Sequence, residues 1–318
     1  MRFFSEYKGM SDPAILVIGH GSRSVSAVEE FHQVASQLKK RFPKRFVETG
    51  FLEFATPVIA DGLEKLMAQG ATDIIALPGM LMAAGHAKND IPSEINTLMA
   101  ENPSVKIRYA TELGVDAKMI RAAAARIEEA EAQFGDDYKR KETLLMVVGR
   151  GASDSDANSN ICKITRMLEE GLGFGWASTS FSGVTSPLVD EALARVNGLG
   201  FKKILLFPYF LFSGRLIDRI YQWADDYQEM HPEVQLVKAG YLNDHELVID
   251  TFVEKVHEAE KGTGNMNCQL CQYRVQIVGH EHNMGAAQEG HHHHVRGAGT
   301  DADKHLHNHL HSHSHDVK

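Results

Sequence analysis

The chain has 318 residues, of which 43% are hydrophobic and 24% are charged, so it can bury a large core and its length predicts two domains. Its formal net charge of -9 excludes a general attraction to nucleic acids or to anionic membranes. The N-terminus lacks the apolar segment of a signal peptide, and the most apolar later run, residues 204–212, is too short to span a bilayer. Three cysteines do not make a disulfide framework, so we expect a soluble protein of the reducing cytoplasm.

Apolar strands alternate with amphipathic helices along the chain. The first strand is predicted at residues 14–20, and Ser26 and Glu29 fit a capping box at the start of the helix that follows. The apolar positions of this helix, at helical spacing, are Val28, Phe31, Ala35, Leu38 and Phe42. Further strands are predicted within residues 45–54, 72–80 and 105–113, and further helices within residues 57–70, 89–102 and 115–134. This order predicts a parallel sheet covered by helices on both faces.

The same pattern then begins again. The matched pairs are Gly19 and Gly149, Pro57 and Pro187, and Pro78 and Pro208, each 130 apart, and Gly85 and Gly214, 129 apart. We therefore expect an α/β fold with two similar parallel-sheet βαβ domains, related by internal duplication, at residues 10–134 and 140–260. The polar residues 135–142 join them.

Three groups able to bind a transition metal are present in the first half and absent from the matching positions of the second. The pairs are His20 and Arg150, Glu53 and Gly183, and His86 and Arg215. His20 ends the first predicted strand, Glu53 lies near the end of the second and His86 follows the third. Ligands of open parallel sheets bind at the carboxyl ends of the strands. Two imidazoles and one carboxylate suit Co²⁺, Fe²⁺, Ni²⁺ or Zn²⁺ with coordination positions left open.

A lone histidine at a strand end is more often structural, and the convergence of three ligands is what favours a metal site. His32 is different, because it lies within the first amphipathic helix and recurs as Cys162. We expect both residues to pack their helices rather than to bind metal.

These segments resemble the sirohydrochlorin cobaltochelatases of the long, two-domain type, which are class II chelatases related to the sirohydrochlorin ferrochelatases. The resemblance covers about residues 13–260 and rests on VIGHGSRS, FLEFATP and LPGMLMAAGHAKNDIP. It implies ATP-independent insertion of Co²⁺ into sirohydrochlorin during cobalamin biosynthesis, with His20, Glu53 and His86 in the metal-binding and catalytic positions. Iron or nickel insertion is the close alternative, because these ligands do not distinguish the ions. The Gly-Lys dipeptide of a Walker A loop is absent from the chain.

Metallation also requires a base and cations that hold the substrate. Imidazole, with an unperturbed pKa of about 6.5, can serve as a ligand or as a base. We expect Glu53 and one histidine to hold the ion while His20 or His86 accepts a pyrrole proton, with the two roles unassigned. The candidate cations for the carboxylates of sirohydrochlorin are Arg150, Arg215 and Lys88, and the alternative for each is a surface or interdomain ion pair.

Residues 261–279 carry one CxxC pair, Cys268 and Cys271, preceded by Met266. The pair could act as a redox dithiol, or as half of a metal site completed by Cys162, by other ligands or by a second subunit. The family resemblance extends here and implies an iron–sulfur cluster, with free thiols as the alternative. A cluster shared between subunits would require a homodimer.

Residues 280–318 contain twelve of the 18 histidines. Few apolar residues accompany them, so we expect a disordered, flexible tail that binds divalent ions and stores them or raises their concentration near the site. Its candidate ligands are His291, His292, His293, His294, His305, His307, His309, His311, His313 and His315. Four consecutive histidines are also typical of an expression tag, which would not explain the alternating run after them.

Two other classes of protein fit part of the sequence. A metal-binding or delivery protein without catalysis would explain the tail and the three ligands, but it would not need two duplicated domains. A periplasmic-type binding protein would explain two α/β domains, but the N-terminus does not resemble a signal peptide.

Overall fold

The computed structural model describes residues 12–286, and within them the chain forms two four-stranded parallel sheets and eight α-helices. The α/β class and the duplication expected from the sequence are both confirmed. The first half contains β1 (Ala14–Gly19), α1 (Val25–Arg41), β2 (Val47–Phe51), α2 (Ile59–Ala68), β3 (Asp73–Pro78), α3 (Ile91–Glu101), β4 (Lys106–Tyr109) and α4 (Ala117–Glu131). The second half contains β5 (Thr143–Gly149), α5 (Ser155–Leu172), β6 (Trp176–Phe181), α6 (Val189–Asn197), β7 (Lys203–Pro208), α7 (Arg215–Met230), β8 (Gln235–Lys238) and α8 (Glu246–Lys261).

The two sheets share one strand order. The first is ordered β2-β1-β3-β4 and the second β6-β5-β7-β8. All six residues of β1 are buried, as expected for an apolar central strand covered on both faces. Because β2 and β3 lie on opposite sides of β1, the chain changes direction there, and the carboxyl ends of β1 and β3 border a topological switch point.

The start of α1 differs from the sequence prediction. The helix follows Ser24, whose side chain makes no capping hydrogen bond, so the capping box predicted from Ser26 and Glu29 is wrong. The Ser26 hydroxyl instead lies 2.9 Å from the Ser24 hydroxyl and 3.0 Å from the Ser213 hydroxyl of the second half. A contact between the halves thus replaces a local cap.

The fourth helix of each half packs on the sheet of the other half. Helix α4 contacts β7 and β8, whereas α8 contacts β3. The inner faces of both sheets therefore share one hydrophobic core with α1, α4, α5 and α8. The outer faces have separate cores, one with α2 and α3 and one with α6 and α7. The predicted domain boundaries at residues 134 and 140 thus follow the sequence repeat. In the structure the two halves exchange their fourth helices, because α4 packs on the second sheet and α8 on the first.

The carboxyl edges of the two sheets face each other. Ser213, after β7, meets Ser26, after β1, and Tyr241, after β8, donates a 2.6 Å hydrogen bond to Glu30 of α1. The loops after β7 and β8 therefore contact the first turns of α1, beside the carboxyl end of β1.

None of the helices between residues 12 and 286 combines the length and apolarity needed to cross a bilayer. The ten tail histidines predicted as metal ligands, residues 291–294 and 305–315, lie outside the described residues. Their role stays a prediction.

Candidate metal centre

The three predicted ligands meet at the carboxyl edge of the first sheet. His20 follows β1, Glu53 follows β2 by two residues, and His86 lies in the loop after β3. The backbone N–H of Glu53 donates to the carbonyl of His20 at 3.0 Å, which holds the first two loops together. The site therefore lies at the topological switch point.

The spacing of the ligand atoms suits a single ion. His20 Nε2 lies 3.1 Å from His86 Nε2 and 3.1 Å from Glu53 Oε1, and the three ligand atoms all lie within 4.8 Å of one another. Metal bonds of about 2.1 Å place neighbouring ligand atoms roughly 3.0–3.4 Å apart in octahedral or tetrahedral geometry. The two imidazole side chains are 26% and 28% exposed and the Glu53 side chain 5%, so the site is open on the imidazole side.

Hydrogen bonds orient both imidazoles. His20 Nδ1–H donates to the Gly21 carbonyl at 2.9 Å, and His86 Nδ1–H donates to Asp90 Oδ2 at 2.7 Å. With its proton on Nδ1, each ring directs the lone pair of Nε2 toward the centre. The Asp90–His86 pair is the carboxylate–histidine arrangement that commonly supports metal ligands.

The loop after β1 approaches the loop after β2 too closely for a side chain. Gly21 has a φ of +96°, and a Cβ on it would lie 1.6 Å from the Glu53 carbonyl oxygen. Its duplicate Gly151 has a φ of +84°, and a Cβ there would lie 1.9 Å from the Gly183 carbonyl oxygen. Both halves thus need glycine at this position, although only the first half carries the candidate metal ligands.

His86 begins a π-helical turn, His86–Asp90, that leads into α3. The turn brings His86 and Asp90 onto one side, where they bond. Ala87 and Asn89 between them are each 2% exposed, and the Tyr109 hydroxyl donates to the Ala87 carbonyl at 2.9 Å. Single π-helical turns are frequent at functional sites because they redirect side chains.

The predicted substrate cations occupy different environments. Arg150 follows β5 and is exposed to solvent. Desolvation by the surrounding protein lowers the pKa of Arg150, and the negative charge of Glu53 opposes that shift, so Arg150 lies within electrostatic range of Glu53. Arg215 is exposed at the first residue of α7. Both roles stay predictions.

Lys88 matches the ion-pair alternative. Its side chain is 0% exposed, and its Nζ donates to Asp154 at 2.7 Å and to Asp156 at 3.1 Å. The carboxylates of Asp154 and Asp156 thus form ion pairs with the Lys88 ammonium group, which was predicted to bind the substrate. Its substrate role stays a prediction.

The sequence analysis did not single out two neighbours of the site. Asp90 lies four residues after His86, a spacing that could have indicated the bond between them. Phe54 follows Glu53 with a φ of +62°, which is rare for a residue with a side chain. Its ring centroid lies 6.0 Å from that of His20, and the Arg23 guanidinium lies 5.0 Å from it.

The cysteines do not form a site with other ligands. All three are free thiols, with Cys162 exposed, Cys268 half-buried and Cys271 buried. Among residues 12–286, the cluster of three or more metal-binding side chains is the one at His20, and it includes none of the cysteines. Burial raises the pKa of the Cys268 thiol, which disfavours the thiolate that would bind metal. The iron–sulfur cluster and the homodimer that would share it stay predictions.

Known proteins are similar to this chain in sequence and in fold. The family model of CbiX matches residues 14–130 and 144–259. A sirohydrochlorin cobaltochelatase of Priestia megaterium is 36% identical over 268 residues, 84% of this chain and 86% of that protein. A sirohydrochlorin ferrochelatase of the same organism is 29% identical over 253 residues, 79% of this chain and 92% of that protein.

A solved structure shows the same fold. The sirohydrochlorin chelatase SirB from Bacillus subtilis subspecies spizizenii, in complex with cobalt, matches with a TM-score of 0.67 at 28% identity. The match covers 79% of this chain and 97% of that one. With the duplicated sheets and the three convergent ligands, these matches establish that the chain belongs to the CbiX family of class II chelatases.

Proposed function

We propose that this protein inserts Co²⁺ into sirohydrochlorin without ATP. The observation that carries the proposal is the convergence of His20, Glu53 and His86 at an accessible edge of the sheet. A relative that is a sirohydrochlorin cobaltochelatase supports the choice of substrate. In this reaction the metal ion is a substrate, so the site must bind it and then release it.

The three-ligand site suits temporary binding. Glu53 supplies a negative charge that favours a dication, and the two Nε2 atoms supply neutral donors. The remaining coordination positions are open to water or to the pyrrole nitrogens of the substrate. An ion held by three groups passes to the macrocycle more readily than one enclosed by four.

The proton balance of the reaction also fits the two histidines. Metallation replaces two pyrrole N–H protons by one dication, so two protons must leave the macrocycle for each ion inserted. When the ion leaves the site, each Nε2 regains a lone pair that accepts one of these protons. Glu53 Oε1, 3.1 Å from His20 Nε2, stabilises the imidazolium that forms there.

Cations of the second half hold the substrate. Sirohydrochlorin carries many carboxylates, whereas the chain has a net charge of -9, so binding requires local positive charge. Arg150 stands in the second half where the first has His20, and it lies near Glu53. Arg215 is exposed at the start of α7. We propose that both guanidiniums bind substrate carboxylates.

The choice of cobalt over iron rests on the relatives. Both a cobaltochelatase and a ferrochelatase match this chain, and the cobaltochelatase has the higher identity. Imidazole and carboxylate ligands bind either ion, and affinity follows the general metal series. We therefore expect a larger kcat/KM for Co²⁺ than for Fe²⁺ or Ni²⁺.

The test is the absorption change of sirohydrochlorin incubated anaerobically with the protein and Co²⁺, without ATP. The His20→Ala, His86→Ala double variant should reduce the rate to that of spontaneous insertion. His231→Ala is the matched control, because this histidine is also 26% exposed and lies beside a carboxylate, Glu233, far from the site. It should insert Co²⁺ at the parent rate.

Two outcomes would contradict the proposal. If the parent protein accelerates insertion of none of Co²⁺, Fe²⁺ and Ni²⁺, the chain is a metal-binding or delivery protein. If the double variant stays as fast as the parent, the chemistry lies elsewhere. We also propose that the protein acts in the cytoplasm, where its three free thiols would remain reduced, and cell fractionation tests this.

A further inference from the structure

The turn that carries His86 is tied to the second half of the chain by a buried charge. Lys88 lies two residues after His86, and its Nζ donates to Asp154 Oδ2 at 2.7 Å and to Asp156 Oδ2 at 3.1 Å. Asp154 precedes α5 and Asp156 lies in its first turn. The ion pair therefore joins the metal-binding turn of one half to the first turn of a helix in the other.

Both ends of this connection are held by further hydrogen bonds. Asp154 Oδ1 accepts from the backbone N–H groups of Asp156 at 3.0 Å and Ala157 at 3.4 Å, which caps α5. The Tyr109 hydroxyl donates to the carbonyl of Ala87 in the turn at 2.9 Å. Movement of the π-helical turn or of the first turn of α5 would break these hydrogen bonds. The ion pair between them therefore sets the position of the turn relative to α5.

The positions of the duplicate that match this ion pair carry no charge. Ile217 stands 129 residues after Lys88 and is buried, and Ser24 and Ser26 stand 130 residues before Asp154 and Asp156. Replacing a buried ion pair by apolar groups of similar volume is often neutral or stabilising, so stability alone does not explain the buried charges at Lys88, Asp154 and Asp156. Of the two sets of matched positions, the charged one adjoins the candidate metal ligand His86, which points to geometry rather than stability as the role of the ion pair.

We propose that Lys88 is a positioning residue of the metal centre, an inference that rests on the proposed function. Its ion pair with Asp154 and Asp156 fixes the π-helical turn. The fixed turn keeps His86 Nε2 at 3.1 Å from His20 Nε2, the separation that a shared ion needs. Lys88 thus acts through His86 rather than through contact with the ion or the macrocycle.

Two variants of the full-length protein test this role. Lys88→Met keeps the length of the side chain and removes its charge. Asp154→Asn is milder, because asparagine keeps the capping oxygen and removes the negative charge. Arg45→Met is the matched control: Arg45 is 10% exposed and pairs with Glu260 of α8, but it lies before β2, at the opposite edge of the sheet.

The first readout needs no turnover. It is the visible absorption of Co²⁺ bound to the protein alone, after subtraction of the spectrum of the His20→Ala, His86→Ala variant, so that the contribution of the C-terminal histidines cancels. The second readout is the pair of KM values, one for Co²⁺ and one for sirohydrochlorin. Changes next to metal ligands typically cost on the order of 10–100-fold in metal affinity.

We expect Lys88→Met to change the difference spectrum and to raise the KM for Co²⁺ about 10-fold or more, with the KM for sirohydrochlorin unchanged. Asp154→Asn should also change the difference spectrum and should raise the KM for Co²⁺ by a smaller factor. This variant provides the test if Lys88→Met does not fold. Arg45→Met should leave the spectrum and both KM values at the parent level.

Two results would overturn the inference. A rise in the KM for sirohydrochlorin alone would make Lys88 a substrate contact. Parent values of the spectrum and of the KM for Co²⁺ in both variants would make the ion pair purely structural. Failure of the proposed function looks different, because the parent protein would then insert no metal while the Co²⁺ spectrum still reported the position of His86.

Discussion

Gly21 provides a sharp test of the metal centre, because the duplicate supplies a natural control. We expect Gly21→Ala to separate the loops that carry His20 and Glu53. The new Cβ would lie 1.6 Å from the Glu53 carbonyl oxygen, and Cβ contacts essentially never fall below 3.0 Å. One backbone must therefore move by at least about 1.4 Å, against the steep repulsion between touching atoms.

The size of the effect follows from that displacement. Metal–ligand distances tolerate deviations of only about 0.2 Å, so His20 and Glu53 can no longer share one ion. A misplacement of about 1 Å can cost on the order of 100-fold in rate, which corresponds to about 2.8 kcal/mol of activation free energy. We therefore expect kcat/KM for Co²⁺ insertion to fall about 100-fold or more. Forcing the methyl group in should lower the free energy of unfolding by about 1–3 kcal/mol.

Gly151→Ala separates loss of the site from loss of stability. Its backbone has nearly the same φ, and its Cβ would meet the Gly183 carbonyl oxygen at 1.9 Å, so urea denaturation should show a similar loss of stability. The residues adjoining Gly151 and Gly183 include no metal ligand, and Co²⁺ affinity should stay near the parent value. Equal Co²⁺ affinity in the two variants would refute the argument.

Four further predictions follow from individual side chains and from the tail. Asp90→Ala removes the acceptor that orients His86, so Co²⁺ affinity should fall roughly 10–100-fold in titrations of the protein with the ion. Arg150→Ala should raise the KM for sirohydrochlorin about 10-fold, the scale of one charge-assisted hydrogen bond, with the KM for Co²⁺ unchanged. Burial, and secondarily the charge of Lys65, lowers the pKa of His32 below 6.5. Protonation below pH 6.5 therefore favours unfolding, and His32→Phe should lose less stability than the parent between pH 7 and pH 5 in denaturant titrations. Deleting residues 280–318 should lower the number of Co²⁺ ions bound per chain in equilibrium dialysis and leave the rate at saturating Co²⁺ unchanged.

The sequence predicts the strands and the convergence of the three candidate ligands well because both leave local patterns. The buried run of β1 and the glycine after it identify the strand end. The loss of His20, Glu53 and His86 from the duplicate indicates the candidate site without any knowledge of the fold. These features depend on residue type and spacing alone.

The helix exchange leaves no such pattern. Helix α4 has an apolar stripe whichever sheet it covers, so periodicity cannot say that it packs on β7 and β8. The π-helical turn is hidden for a similar reason, because its residues read as the first turn of α3. The partner of Lys88 lies 66 residues away in Asp154, and a pairing over that distance depends on the tertiary fold.

The exchanged helices also determine when the first half can fold during synthesis on the ribosome. The inner face of the first sheet is complete only when α8 reaches β3, and α8 begins at Glu246, more than 160 residues after β3 ends at Pro78. Nearly the whole described chain must be synthesised before that apolar face is covered. A nascent chain stopped at the end of the first repeat would expose this face, and we expect it to bind chaperones or to aggregate rather than to fold as an independent half.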